Sequence, residues 1–174
     1  MVLISYTFFK ALGYSIGKSL LDETSIDFCK EMLVKYKDKI MLPVDTVVSK
    51  SMDIDSECHT VSSNQIMDDE SGFDIGSKTV EMFSEIINKS NTIIWNGPVG
   101  MFEMDKYAKG TIGLCEALKK NNGVKIIGGG DSAAAVIKLG YKDVMTHIST
   151  GGGASLELLE GKTLPGIGII DEEK

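Results

Sequence analysis

Apolar positions along the chain recur first at helical spacing and then in short runs that alternate with helical stretches. Residues 5–12 are largely apolar and read as a helical or a buried segment ending near Gly13. Asp22, Thr24 and Ser25 offer N-caps for a second helix running to about Tyr36, with Cys29, Met32, Leu33 and Tyr36 at helical spacing. Residues 40–48 are rich in strand-forming side chains, and Pro43 points to an edge or a bulge. Residues 49–76 are polar and turn-rich, with room for one short strand at 58–62. Residues 78–88 predict an amphipathic helix with Val80, Phe83 and Ile87 on one face.

From residue 92 the pattern becomes regular. Strands are expected at 92–95, 124–127 and 144–149, and helices at 106–120, 131–139 and 154–160. Repeated strand–loop–helix units predict an α/β fold: a parallel sheet flanked by helices, three-layered and Rossmann-like. Ligands of such sheets bind beyond the carboxyl ends of the strands. Three loops fall there: Asn96-Gly97-Pro98, Gly128-Gly129-Gly130 and Gly151-Gly152-Gly153. Trp95 and His147 read as core residues, Asp68-Asp69-Glu70 as a solvated acidic turn, and the helix lysines as solvated faces. Residues 6–9 already read as domain interior, so the chain is expected to begin part-way through a domain.

Composition narrows the picture. The 174 residues suffice for one domain with a real core. No apolar run approaches the roughly 18 residues of a membrane span, and no signal peptide is read at the start. Cys29, Cys58 and Cys115 are scattered, which fits a reducing cytoplasm and no zinc pattern. A net charge of −7 argues against nucleic acid as a partner. All 18 basic residues are lysines, so no arginine fork is available to clamp a phosphate.

The glycine triplets carry the chemistry. Glycine lets a ligand approach the backbone closely, and a helix beginning there turns free N–H groups and the positive end of its dipole outward. Side by side, two such starts make an anion site suited to phosphates. Each has a plainer reading: a tight strand–helix turn, with Asp131 as an ordinary N-cap. Neither is a P-loop or a dinucleotide fingerprint. Ser149 and Thr150 could donate to a transferring phosphoryl group or simply close a local turn. Glu103 could accept from ribose hydroxyls or serve as a first-turn helix acid.

Taken together, three long motifs resemble phosphoglycerate kinase. They are Trp95-Asn96-Gly97-Pro98-Val99-Gly100-Met101-Phe102-Glu103, Ile126-Ile127-Gly128-Gly129-Gly130-Asp131-Ser132, and Ser149-Thr150-Gly151-Gly152-Gly153 with the following 154–161. Leu42-Pro43-Val44-Asp45, Gly72-Phe73-Asp74-Ile75-Gly76 and Leu164-Pro165-Gly166 fit in order, so the resemblance spans about residues 5–167. It implies residues 1–174 to be part of the carboxyl-terminal, nucleotide-binding domain of a monomeric cytoplasmic enzyme of glycolysis. That family moves a phosphoryl group between 1,3-bisphosphoglycerate and ADP, giving 3-phosphoglycerate and ATP. The resemblance places Gly129, Gly130, Asp131 and Ser132 at the phosphates of Mg-ADP or Mg-ATP, with Asp131 on Mg2+. It places Glu103 at the ribose, Gly72 and Asn96 in the nucleotide pocket, and Gly151, Gly152 and Gly153 at the transferring phosphoryl group.

The same resemblance defines what this sequence lacks. The family's amino-terminal domain, with its phosphoglycerate site and catalytic arginine, has no counterpart here. Neither has a phosphate-gripping lysine of the nucleotide domain, nor a glycine pair that precedes the segment matching Ser5-Tyr6-Thr7-Phe8. The chain is therefore expected to be inactive alone. Three roles stay open: a non-catalytic nucleotide-binding fragment, one subunit of a split enzyme, or a structural remnant.

Overall fold

A computed structural model describes residues 3–164. Six helices and six strands alternate with three short 3₁₀ turns. Helices α1 (Leu3–Ala11) and α2 (Ile26–Lys35) pack together at the start of the chain. Strands β1 (Asp45–Ser49), β2 (Cys58–Ser62) and β3 (Ser71–Ile75) follow, then α3 (Ser77–Lys89) and β4 (Thr92–Asn96). The rest comprises α4 (Lys109–Lys120), β5 (Val124–Gly128), α5 (Gly130–Lys138), β6 (His147–Ser149) and α6 (Gly152–Leu159).

The parallel sheet is present, in the order β4-β5-β6. Beside it stands a second, antiparallel sheet, β2-β1-β3, which the strand–helix alternation did not foretell. Its third strand, β3, lies in a stretch expected to be turn. Ser71-Gly72-Phe73-Asp74-Ile75 alternates poorly because three successive residues, Phe73 to Ile75, are buried. The Leu164-Pro165-Gly166 motif lies, apart from Leu164, outside the described residues.

Other expectations shift for local reasons. The helix expected from residue 106 opens with a 3₁₀ turn, Asp105–Tyr107, before α4 begins at Lys109. The strand expected from 144 shortens to His147–Ser149, because Lys142–Val144 closes another such turn. His147 is exposed rather than part of the core, since β6 is an outer strand. Trp95 is only partly buried against Cys115, Ile127 and Val136. The acidic turn is not uniformly solvated. Asp69 pairs in solvent with Lys50 at 2.7 Å, whereas Glu70 is 3% exposed and meets His59 Nε2 at 3.2 Å.

Two apolar clusters support the sheets. Tyr6, Phe9, Ile16, Val48 and Ile66 join α1 to the antiparallel sheet, and Cys115, Ile127 and Val136 join the parallel sheet to its helices. No helix among the described residues is long and apolar enough to cross a membrane.

A buried carboxylate ties the antiparallel sheet to α3. The N-cap of α3 is Gly76, whose missing side chain leaves the first-turn amides without a local acceptor. Asp45 on β1 supplies it from a distance. Its carboxylate accepts from Lys78 N at 3.1 Å, Thr79 N at 2.8 Å and Thr79 Oγ1 at 2.5 Å. Removing it leaves these donors unpaired in a dry site. Asp45→Ala is expected to lose about 3 kcal/mol of stability, read as a lower urea midpoint at unchanged slope. A midpoint within error of the parent would refute this role.

Candidate functional site

The two glycine triplets meet. β5 runs into Gly128, and Gly129 turns the chain with φ +93°, a left-handed value that a side chain would resist. The Gly129 amide donates to Ser149 O of the neighbouring strand at 3.0 Å, which holds the first triplet against the start of the second. A Cβ on Gly152 would lie 2.8 Å from Gly129 Cα, closer than side chains tolerate. Two helix starts are thus brought together backbone to backbone.

Neither start is capped by a side chain. The N-cap of α5 is Gly129 and that of α6 is Gly151, and neither can supply one. Asp131 is therefore not the plain N-cap that the simpler reading allows; it is the second residue of α5. The first-turn amides of both helices lack intrahelical acceptors by geometry, so positive potential collects where the triplets converge.

The Asn96 loop closes the third side. Asn96 pairs with Gly128 across the parallel ladder, and its side chain lies close to Gly128, Gly129 and Gly152. Ser132 is 1% exposed, and its hydroxyl accepts from Gly97 N at 2.6 Å. That bond uses the hydroxyl as an acceptor and fixes the loop, while its proton remains available to donate. Ser155 Oγ lies 3.0 Å from Ser149 Oγ and 2.9 Å from Gly151 O, so its one proton serves either acceptor. Gly151 and Gly153 are exposed beside them.

Adjoining these helix starts is a cavity of about 550 Å³, within the range of small-molecule sites. Gly72, Glu103 and Asp131 line it. Asn96, Gly129, Gly130, Ser132 and the second triplet lie outside its wall, so Asp131 joins the cavity to the convergent helix starts. Gly72 is required here because a Cβ would overlap the Tyr6 hydroxyl. That hydroxyl is buried without a hydrogen-bond partner, and burial together with the nearby Asp74 charge pushes its acidity down.

Several lining residues escaped sequence reasoning. Lys18, Leu20, Lys50 and Met52 come from loops around the antiparallel sheet and carry no motif. Of the two lysines, Lys18 brings an exposed ammonium to the cavity, whereas that of Lys50 pairs with Asp69 at 2.7 Å. No spacing rule could have found them, since Lys50 follows β1 while the Lys18 loop is held at the start of β3, with Lys18 N donating to Glu70 O at 2.7 Å and Gly72 N to Ser19 Oγ at 3.0 Å.

Beneath the wall, Asp74 is wholly buried. Its carboxylate accepts from Ile75 N at 2.9 Å and Gly110 N at 2.7 Å, and Met101 N donates to Phe73 O next door at 2.9 Å. Side chains on Gly100 or Gly110 would run into this carboxylate. Asp74 therefore anchors both the cavity loop and the start of α4. Burial outweighs those two hydrogen bonds and raises its pKa from 3.8 to about 7.

Known proteins resemble this chain along nearly all of its length. The family profile described as phosphoglycerate kinase matches residues 3–162. The phosphoglycerate kinase of Enterococcus faecalis is 57% identical over 171 residues, covering 98% of this chain and 43% of that protein. That of Finegoldia magna is 50% identical over 172 residues, covering 97% and 44%. The solved phosphoglycerate kinase of Coxiella burnetii superimposes with a TM-score of 0.92 at 39% identity, over 98% of this chain and 44% of that one. The chain spans less than half the length of these relatives.

The Asp74 pKa carries a pH signature. Because it is raised on folding, its stabilising share is complete below about pH 4 and is lost as pH climbs through about 7. Over that window the parent chain should lose up to about 4 kcal/mol relative to Asp74→Asn. Parallel stability–pH curves for the two proteins would contradict it.

Proposed function

The chain belongs to the phosphoglycerate kinase family, and we propose that it supplies the nucleotide side of that family's phosphoryl transfer. One observation carries this reading most: two uncapped helix starts, held in backbone contact at Gly129 and Gly152, open beside a cavity sized for a small molecule. In the proposed arrangement the base and ribose of ADP or ATP occupy the cavity, with Gly72 at its floor and Glu103 accepting from the ribose. Asn96 orders the loop between the triplets. The backbone amides of Gly130, Asp131 and Ser132, past the turn at Gly129, face the nucleotide phosphates. Gly151, Gly152 and Gly153 face the phosphoryl group in transit, where positioning and charge neutralisation are the main requirements.

Magnesium fits the same scheme. Asp131 is exposed on the cavity rim and forms no ion pair among the described residues. No group of three or more ligating side chains is found among those residues. Asp131 would therefore share Mg2+ with the nucleotide phosphates, as the metal's preference for few carboxylates and many phosphate or water ligands favours. When bound, the ion neutralises charge on the phosphates.

The proposed reaction is the glycolytic transfer between 1,3-bisphosphoglycerate and ADP, in the cytoplasm, with 3-phosphoglycerate engaged once the rest of the family chain is supplied. The chain alone holds no arginine for the acceptor side. A two-part enzyme is favoured by the outer edge of β4, which has one partner strand and leaves Ile94 44% exposed above a groove walled by Phe83, Ile87 and Leu118. Parallel sheets are normally covered on both faces.

Calorimetry tests the nucleotide reading. Mg-ADP should bind the chain, and omitting magnesium should weaken it. Asp131→Asn should lower affinity about tenfold and abolish the magnesium effect, while Gly152→Ala should weaken both forms by separating the triplets. No heat at millimolar Mg-ADP would defeat the proposal. A coupled assay should show no turnover by the chain alone and measurable turnover after adding the non-overlapping part of the Enterococcus faecalis enzyme. Full turnover by the chain alone would overturn the assignment of roles.

A further inference from the structure

We propose that Lys106 is a latch that sets the width of the cavity, by tying one of its lips to the other. This rests on the nucleotide reading above. One lip is the loop at residues 50–57, which brings Lys50 and Met52 to the cavity. The other is the segment after β4, which brings Met101, Phe102 and Glu103 and ends in the 3₁₀ turn Asp105–Tyr107. Lys106 sits on that turn and reaches across more than fifty positions of sequence. Its Nζ donates to Asp53 O at 2.5 Å, Ser56 Oγ at 2.9 Å and Ser56 O at 3.0 Å.

An ammonium group has three donors, and here all three go to one loop. Among the described residues Lys106 makes no ion pair, so its charge is held by loop oxygens and not by a carboxylate. Below the ammonium lies the Tyr107 ring, 4.8 Å from Nζ to centroid. Tyr107 is fully buried and stacks on Phe73 at 4.7 Å, and Phe73 lines the cavity. The latch is therefore seated on the cavity's own floor.

The tip of the loop it holds has little apolar packing. Met52 is 57% and Ile54 78% exposed, so almost no apolar burial orders the tip. Its other bonds run within the loop, with Ser51 Oγ donating to Asp53 Oδ2 and the Ser56 hydroxyl within reach of Ser51 O and Asp53 O, or to its own side of the cavity, where Ser49 on β1 donates to Glu57 O at 2.7 Å and Lys50 pairs with Asp69 at 2.7 Å. Such bonds shape the loop but do not say where it stands relative to the opposite lip. Lys106 supplies that information before a ligand arrives. A loop ordered in advance costs less to order on binding. Lys106 is thus a positioning residue for the base-and-ribose end of the ligand, and it is indifferent to the phosphate end.

Lys106→Met keeps the length of the side chain and removes its donors; Lys106→Arg restores donors. Hydrogen exchange of the ligand-free protein should quicken at residues 51–57 in the Met variant and return toward the parent in the Arg variant. Calorimetry should show Mg-ADP affinity falling about three- to tenfold in the Met variant, with Mg-tripolyphosphate, which has no base or ribose, within about twofold of the parent. The Arg variant should recover most of the loss. Equal losses for both ligands would mean general damage and overturn the latch, as would unchanged exchange at 51–57 or unchanged ADP affinity. If the parent itself binds neither ligand, the nucleotide reading fails and this inference with it. If the parent binds and the Met variant matches it, the latch alone fails.

Discussion

Everything proposed for this chain depends on two backbones touching where side chains would ordinarily stand. Gly129 and Gly152 approach so closely that one methyl group between them would be excluded. That contact brings the starts of α5 and α6 to one point, and the absence of capping side chains leaves their amides facing outward. A single helix start is a weak attractor for an anion, typically about 0.3–1 kcal/mol when exposed. Two converging starts, with the Asn96 loop beside them, form the preorganised surface that the proposed phosphate contacts require.

The second organising element is the buried carboxylate. Asp45 and Asp74 lie on neighbouring antiparallel strands, and each reaches out of the sheet to grip the amides of an adjoining element. Asp45 holds the start of α3. Asp74 holds the start of α4 and lies beneath the cavity loop. The antiparallel sheet therefore serves as the base on which the cavity wall is mounted, while the parallel sheet presents the phosphate end. The two halves of the site come from different sheets, and their relation is maintained by a few hydrogen bonds between them.

Net charge and local charge point in opposite directions. The chain is acidic overall, and the cavity lining balances Lys18 and Lys50 with Glu103 and Asp131, so the local positive field comes from the converging helix starts. An anionic ligand responds to the local field within a Debye length, about 8 Å at physiological salt. The acidic total argues against nucleic acid as a partner without arguing against a nucleotide. The lack of arginine has a different consequence, since no residue of this chain can make the planar two-point clamp that a carboxylate or phosphate acceptor invites.

Much of this was legible along the sequence. The periodicity from residue 92 onward located the parallel strands and helices to within a few positions, because regular strand–helix units carry their own period and punctuation. The triplets and the Asn96 loop announced a site because glycine and proline restrict or free the backbone locally. What stayed hidden was whatever depends on distant pairing. β3 looked like turn, Glu70 looked solvated, His147 looked buried, Lys106 looked like a solvated helix face, and Lys18 and Lys50 belonged to no motif. The sequence by itself determined which segments could fold and where the backbone could lie bare. Only the tertiary structure decided which bare segments touch, which acids are buried and which lysines reach a cavity, because these depend on contacts between residues tens of positions apart, which no local propensity encodes.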